Sequence, residues 1–199
     1  MTEQCSRRCV TQAADGSRRG LLSRHMKTAA LIAALLSAVA MMGQSQSETR
    51  IKAAYVFNLT KYVEWPVSGN QVVIGVTGAG PQVEALRELN GKTSDSRQVV
   101  VLVEPSDADL KRCDLLYVTS PSDRKIEAIL QKVAGTSTLT VGEAASFTRA
   151  GGMIALLTVG DRIQIEVNLA ACQKAKLKVS SRLLSLARIV GSERAEARP

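Results

Sequence analysis

Acid–base and nucleophilic chemistry needs imidazole, thiolate or paired carboxylates, and this chain offers few of them. Its one histidine is His25, which lies just ahead of an apolar run with the character of an export signal. A domain that starts after that run has no imidazole. That excludes a Ser-His-Asp or Cys-His hydrolase and any zinc site that needs histidine. Asp107, Asp109 and Asp114 cluster in sequence, but they border a strand and flank Lys111 and Arg112, the pattern of a solvated loop rather than a carboxylate pair. Gly75-Val-Thr-Gly78-Ala-Gly80 stands between a strand and a helix, where backbone N–H groups could approach a phosphate. The spacing is not Gly-x-Gly-x-x-Gly and no Gly-Lys-Ser follows, so a plain strand-to-helix turn is the better reading. No cofactor or metal is expected, and the chain reads as non-enzymatic.

Two further residue sets bear on function. Cys113 and Cys172 are the cysteines left once Cys5 and Cys9 depart with the leader. In an oxidising compartment they could pair, with roughly 4 kcal/mol of chain-entropy stabilisation for the loop closed, or stay as two buried thiols; the sequence leaves both open. The segment Lys61-Tyr62-Val-Glu-Trp65 carries the only tryptophan, which either anchors a partner or plugs one end of the core. Lys61, Tyr62 and Trp65, together with Arg162, Gln164, Glu166 and Arg182, are the candidate partner-interface residues.

The apolar run Ala29–Ala40, preceded by Arg24 and Lys27 and ending in small residues at Ala38 and Ala40, reads as a cleaved Sec-type signal with cleavage near Ala40 to Ser47. It is short of the ~20 apolar residues of a membrane span. Residues 1–25 are polar and without apolar periodicity, so translation is expected to start at Met26, with the signal over 26–47 and one domain over 48–199. Ser17-Arg-Arg-Gly-Leu-Leu22 resembles a twin-arginine signal, but the gap to the apolar run is long and nothing downstream looks cofactor-loaded. The leader holds Arg7, Arg8, Arg18, Arg19, Arg24 and Lys27 against Glu3 and Asp15, so half of the formal net charge of +8 leaves with it. The domain that remains is mildly basic, and nucleic acid is not an expected partner.

The elements that must position these residues alternate between two periods. Ile51, Ala54, Tyr55, Leu59, Tyr62 and Val63 recur at helical spacing and predict a helix over 51–65 with that stripe against the core, stopped by Pro66. Apolar β-branched runs at 71–77, 97–103, 114–118 and 138–141 predict buried strands, with helices over 81–90 and 122–134 between them. Residues 153–159 and 162–167, separated by Gly160-Asp161, predict an antiparallel hairpin whose second strand is half exposed, with Arg162, Gln164 and Glu166 outward. A closing helix within the run 178–187, capped at its start by Ser180 or Ser181, is expected to dock Leu183, Leu184 and Ala187 on the sheet. The fold class is α/β: a single domain with a mixed, mostly parallel sheet of about six strands and helices on both faces.

Ala53-Ala-Tyr-Val-Phe-Asn58 with Lys61-Tyr-Val-Glu-Trp-Pro66 resembles the opening helix of the YfiR family. Gly151-Gly-Met-Ile154, Arg162-Ile-Gln-Ile-Glu-Val-Asn168 and Lys178–Ala187 are similar to its closing strand pair and helix. The resemblance spans Glu48 to Val190. It implies a periplasmic protein of a Gram-negative bacterium that binds the periplasmic domain of an inner-membrane diguanylate cyclase and restrains it, lowering cyclic di-GMP and biofilm formation. It also implies a capacity for self-association, for which a bare hairpin edge is a natural site. A different class of function is a periplasmic small-ligand sensor, with a solute at the carboxyl ends of the strands near Thr77–Gly80 and Thr119–Ser122. The basic stretch Lys174, Lys176, Lys178, Arg182 and Arg188 would suit an acidic partner or an anionic membrane surface.

Overall fold

Strand-forming runs alternate with short amphipathic segments, and in the computed structural model, which describes residues 46, 48–66 and 69–191, they build helix layers on the two faces of one sheet. Gln46 apart, the described residues belong to the unit Ser47–Pro199. The leader features, among them His25, Cys5, Cys9, Ala38 and Ala40, lie outside the described residues. No helix among the described residues is long and apolar enough to cross a membrane.

Helix α1 (48–62) leads into a two-residue strand, β1 (Val63–Glu64). There follow β2 (Gln71–Thr77), α2 (Pro81–Arg87), β3 (Thr93–Ser94), β4 (Arg97–Val103), α3 (Asp107–Leu110), β5 (Leu115–Val118), α4 (Asp123–Lys132) and β6 (Leu139–Gly142). The remainder is β7 (Ile154–Val159), β8 (Arg162–Asn168), α5 (Leu169–Lys174), β9 (Lys178–Val179), α6 (Ser181–Leu184) and β10 (Ala187–Val190). Eight strands form one sheet in the order β10-β8-β7-β6-β5-β2-β4-β3, while β1 and β9 pair separately. β4, β2, β5, β6 and β7 are mutually parallel, a doubly wound order in which the first of them sits between the second and third. β8 returns antiparallel to β7, and β10 lies parallel to β8.

Alternate residues of each buried strand feed opposite layers. Leu115 and Tyr117 of β5 join one core with Val56 and Leu59 of α1, Leu86 of α2, Cys172 of α5 and Leu183 of α6. Leu116 and Val118 join the other, with Leu110 of α3, Ile126 of α4 and Phe147. The Phe147 ring lies between Gly142 and Gly152, so neither position has room for a Cβ; this is a packing reason for one glycine of the Gly151-Gly152 pair.

All six expected strands are present in the eight-stranded sheet, whose two additions are β3 and β10. Four expectations are corrected. Helix α1 ends at Tyr62, because Val63 and Glu64 pair with Val179 and Lys178. Its core-facing stripe is Lys52, Ala53, Val56, Leu59 and Thr60, continued by Val63 of β1, while Ile51 is 45% exposed and Ala54 is exposed too. The closing helix is a single turn, α6, with the Ser180 hydroxyl accepting from the Leu183 N–H; the chain then extends as β10. That strand covers the outer edge of β8 from Ile165 to Asn168, so the hairpin edge expected to be bare is not.

Candidate functional site

The charged stripe residue Lys52 is 5% exposed, an expensive placement unless its ammonium is neutralised and hydrogen-bonded. It is: Lys52 Nζ lies 2.5 Å from Glu143 Oε2 and 2.7 Å from Glu48 Oε1. Glu143 follows β6, and its other oxygen accepts from the Tyr117 hydroxyl at 2.8 Å. Glu48 in turn accepts from the Thr158 hydroxyl of β7 at 2.5 Å. Burial acts to lower the Lys52 pKa, but the hydrogen bonds to Glu143 and Glu48 outweigh it and the value is raised. Glu48 is lowered, first by its Lys52 hydrogen bond and then by Thr158. Tyr117 is driven far up by burial and the Glu143 charge. The network ties the amino-terminal half of α1 to the carboxyl ends of β5 and β6 and to the hairpin. Lys52, Glu48 and Tyr117 are each shifted further from neutral pH, which suits a structural tie rather than proton transfer.

The sequence did not point to this network. Glu48 and Lys52 do stand at the i, i+4 spacing of a helical ion pair, a signal that was available; Tyr117 and Glu143 arrive from distant strands.

At the junction between β2 and β5, where a doubly wound sheet would take a ligand, the glycine-rich turn is already filled. Glu104 Oε1 accepts from the Gly78 N–H at 2.5 Å, and Thr119 packs against Gly78 while its hydroxyl donates to the Thr77 carbonyl at 3.0 Å. A carboxylate in the place a phosphate would occupy opposes anion binding. The three acids that cluster in sequence have separate tasks. Asp107 pairs with Lys132 at 2.8 Å, Asp109 accepts from Ser106 at 2.6 Å, and Asp114 accepts from the Val73 N–H at 2.8 Å. Burial raises the Asp114 pKa, opposed by that hydrogen bond and by the Arg97 charge.

At the opposite ends of the strands, Trp65 is buried and its indole N–H donates to the Asp114 carbonyl at 2.9 Å. The Arg97 guanidinium lies 5.6 Å from the Trp65 ring centroid, a cation–π spacing. Trp65 therefore plugs the amino-terminal end of the sheet. Beside it a shallow cavity of about 240 Å³ is lined by Trp65, Pro66, Lys111, Arg112, Asp114 and Thr138, among others.

The sequence-derived interface residues divide into two groups. Lys61 is exposed and lies 4.9 Å over the Phe57 ring. Half-buried Tyr62 offers its carbonyl to the Ser180 N–H at 2.9 Å, which brings the start of α6, with exposed Arg182, to this end of α1. Arg162 and Gln164 belong to the hairpin instead, where Arg162 is exposed and Gln164 half-buried. Glu166 was expected to face outward and does not: it is 7% exposed, accepting from Thr148 at 3.3 Å and pairing with Arg188 of β10 at 3.3 Å. The arrival of β10 explains this difference. Cys113 and Cys172 do not pair; both are free and buried. Cys113 lies against Gly75 and Leu116, on the face opposite Cys172. Burial, helped by Asp114 and Asp109, pushes the Cys113 thiol up to about 11, and burial pushes Cys172 up to about 11. Neither is a nucleophile at neutral pH.

The family profile described as YfiR/HmsC-like matches residues 49–188, from the first turns of α1 into β10. No curated protein gives a significant match to the chain.

Proposed function

The chain belongs to the YfiR/HmsC-like family, and from that membership we propose that it is a non-enzymatic periplasmic regulator. In this reading it binds the periplasmic domain of an inner-membrane diguanylate cyclase and holds the cyclase in its inactive state, lowering cyclic di-GMP and biofilm formation. The observation that carries it is the extent of the family match, which takes in both helix layers and nearly the whole sheet. The chemistry of the fold supports it: the buried thiols are unreactive, Asp107, Asp109 and Asp114 are individually engaged, and the glycine turn is occupied by Glu104. That last feature also argues against a small solute at the carboxyl ends of β2 and β5.

Restraint of this kind is a population shift. Moving a two-state cyclase from about 1:99 to about 99:1 takes roughly 5.5 kcal/mol of differential binding, which an interface of ordinary size supplies. The test is intracellular cyclic di-GMP in the native bacterium with the gene deleted and with the gene restored from Met26. A rise on deletion that complementation reverses is the expected result. An unchanged level would reject restraint of a cyclase.

A further inference from the structure

The two edges of the sheet are finished differently. On the β4 side the edge is closed: Asn90 Oδ1 accepts from the Val101 N–H at 3.0 Å, and the loop before β3 bonds both polar groups of Val99, through the Lys92 carbonyl and the Gly91 N–H, each at 2.8 Å. At the other edge β10 is bonded to β8 on one side only, and no loop or side chain among the described residues caps its outer side. An unprotected strand edge is a template for another strand. Ile189 on this strand and Leu186 just before it also reach water, at 43% and 73% exposure, two of the four large apolar side chains exposed among the described residues.

The chain segment that leads into that edge carries one sign of charge. Residues 169–190 contain Lys174, Lys176, Lys178, Arg182 and Arg188 and no acid. Arg188 is paired with Glu166; the other four are exposed and make no ion pair among the described residues. β9 and α6, which carry Lys178 and Arg182, immediately precede β10.

We propose that the outer edge of β10 is the docking site for the regulated partner, and that it takes an extended, acidic segment of that partner as an added ninth strand. Main-chain hydrogen bonds supply affinity, Leu186 and Ile189 supply apolar contact, and the four cations select acidic flanks. A free backbone edge favours a polypeptide over a lipid surface, which has no strand to pair. This inference rests on the proposed regulatory function, because its partner is the periplasmic domain of the cyclase.

The experiment measures binding of the mature protein to the purified periplasmic domain of the cyclase from the same bacterium, by calorimetry at low and high salt. Two variants are compared with wild type, Leu186→Glu/Ile189→Glu and Lys178→Glu/Arg182→Glu, with thermal melts to check folding; all four side chains are exposed. Expected is at least a tenfold loss of affinity in each variant, and a salt dependence that is weaker in the charge variant. Wild-type affinity in whichever variant is folded overturns the docking site while leaving the regulatory reading standing. No binding by wild type overturns that reading and this inference with it. Two further outcomes also overturn the inference: tighter binding to phosphatidylglycerol vesicles with unchanged binding to the domain, and a homodimer that only the Leu186/Ile189 variant disrupts.

Discussion

Lys52 shows how one residue's environment can reverse the reading of its type. A lysine on a helix is expected outward, and here Glu48, Glu143 and the Tyr117 hydroxyl turn it inward. Removing the ammonium leaves Glu143 beside a buried phenol without its counter-charge, so Lys52→Met should lower stability by about 3 kcal/mol. The pH dependence has a definite sign. Glu48 titrates below its ordinary 4.5 in the folded protein, so its contribution is full above that value and is lost as pH falls through the lowered one. Lys52 titrates above its ordinary 10.5, so its contribution is full below that value and is lost only at higher pH. Urea unfolding of wild type and Lys52→Met, followed from neutral pH into the acid range, should therefore show the loss in the variant at neutral pH and a flatter acid limb. Equal stabilities would mean that the pairing contributes nothing net. Only the i, i+4 half of this network was legible in the sequence, because the other half depends on which strand ends lie beside α1. Trp65 was easier: a lone tryptophan beside Pro66 was read as either plug or anchor, and its hydrogen bond to the Asp114 carbonyl and its 8% exposure make it the plug.

At the scale of elements, the six expected strands and the two intervening helices were legible because buried parallel strands leave long β-branched runs. Two segments were misread. Helix α1 carries two apolar stripes, and periodicity alone does not choose between them; the choice falls to the stripe whose charged member, Lys52, finds counter-charges. Leu59 belongs to the chosen stripe and is 1% exposed, whereas Ile51 is 45% exposed. Leu59→Ala should cost about 2–5 kcal/mol, while Ile51→Ser should change stability by no more than about 0.5 kcal/mol. Denaturant midpoints of the two variants check this, and comparable losses at both sites would contradict the orientation of α1. The closing segment was misread for a related reason. Leu183, Leu184 and Ala187 have helical spacing and Ser180 is a true cap, but the β-branched Ile189 and Val190 have an open edge of β8 within reach. Pairing along Ile165–Asn168, with the Arg188–Glu166 contact, takes the chain into the sheet instead.

At the scale of the whole molecule, the decisive fact about the cysteines is that a continuous sheet stands between them. Their separation in sequence permits a bridge, and an export signal would place them where bridges form, so sequence reasoning had no ground to choose. The layers decide it: Cys172 packs with Val56, Leu59 and Leu183 on one face, and Cys113 lies beside Gly75 and Leu116 on the other. A disulfide needs Cα atoms within about 7 Å, and joining these two would require threading one through a hydrogen-bonded ladder. Both thiols are also buried, with pKa values of about 11, so little thiolate is present at neutral pH to react with an oxidant or an alkylating reagent. The mature protein purified from the periplasm without reductant should accordingly have the mass of the fully reduced chain. Brief iodoacetamide treatment should leave it unmodified under native conditions and add two carbamidomethyl groups in denaturant. A mass two daltons low, with no labelling in denaturant, would mean a Cys113–Cys172 bond, and with it a path of the chain across the sheet different from the one described.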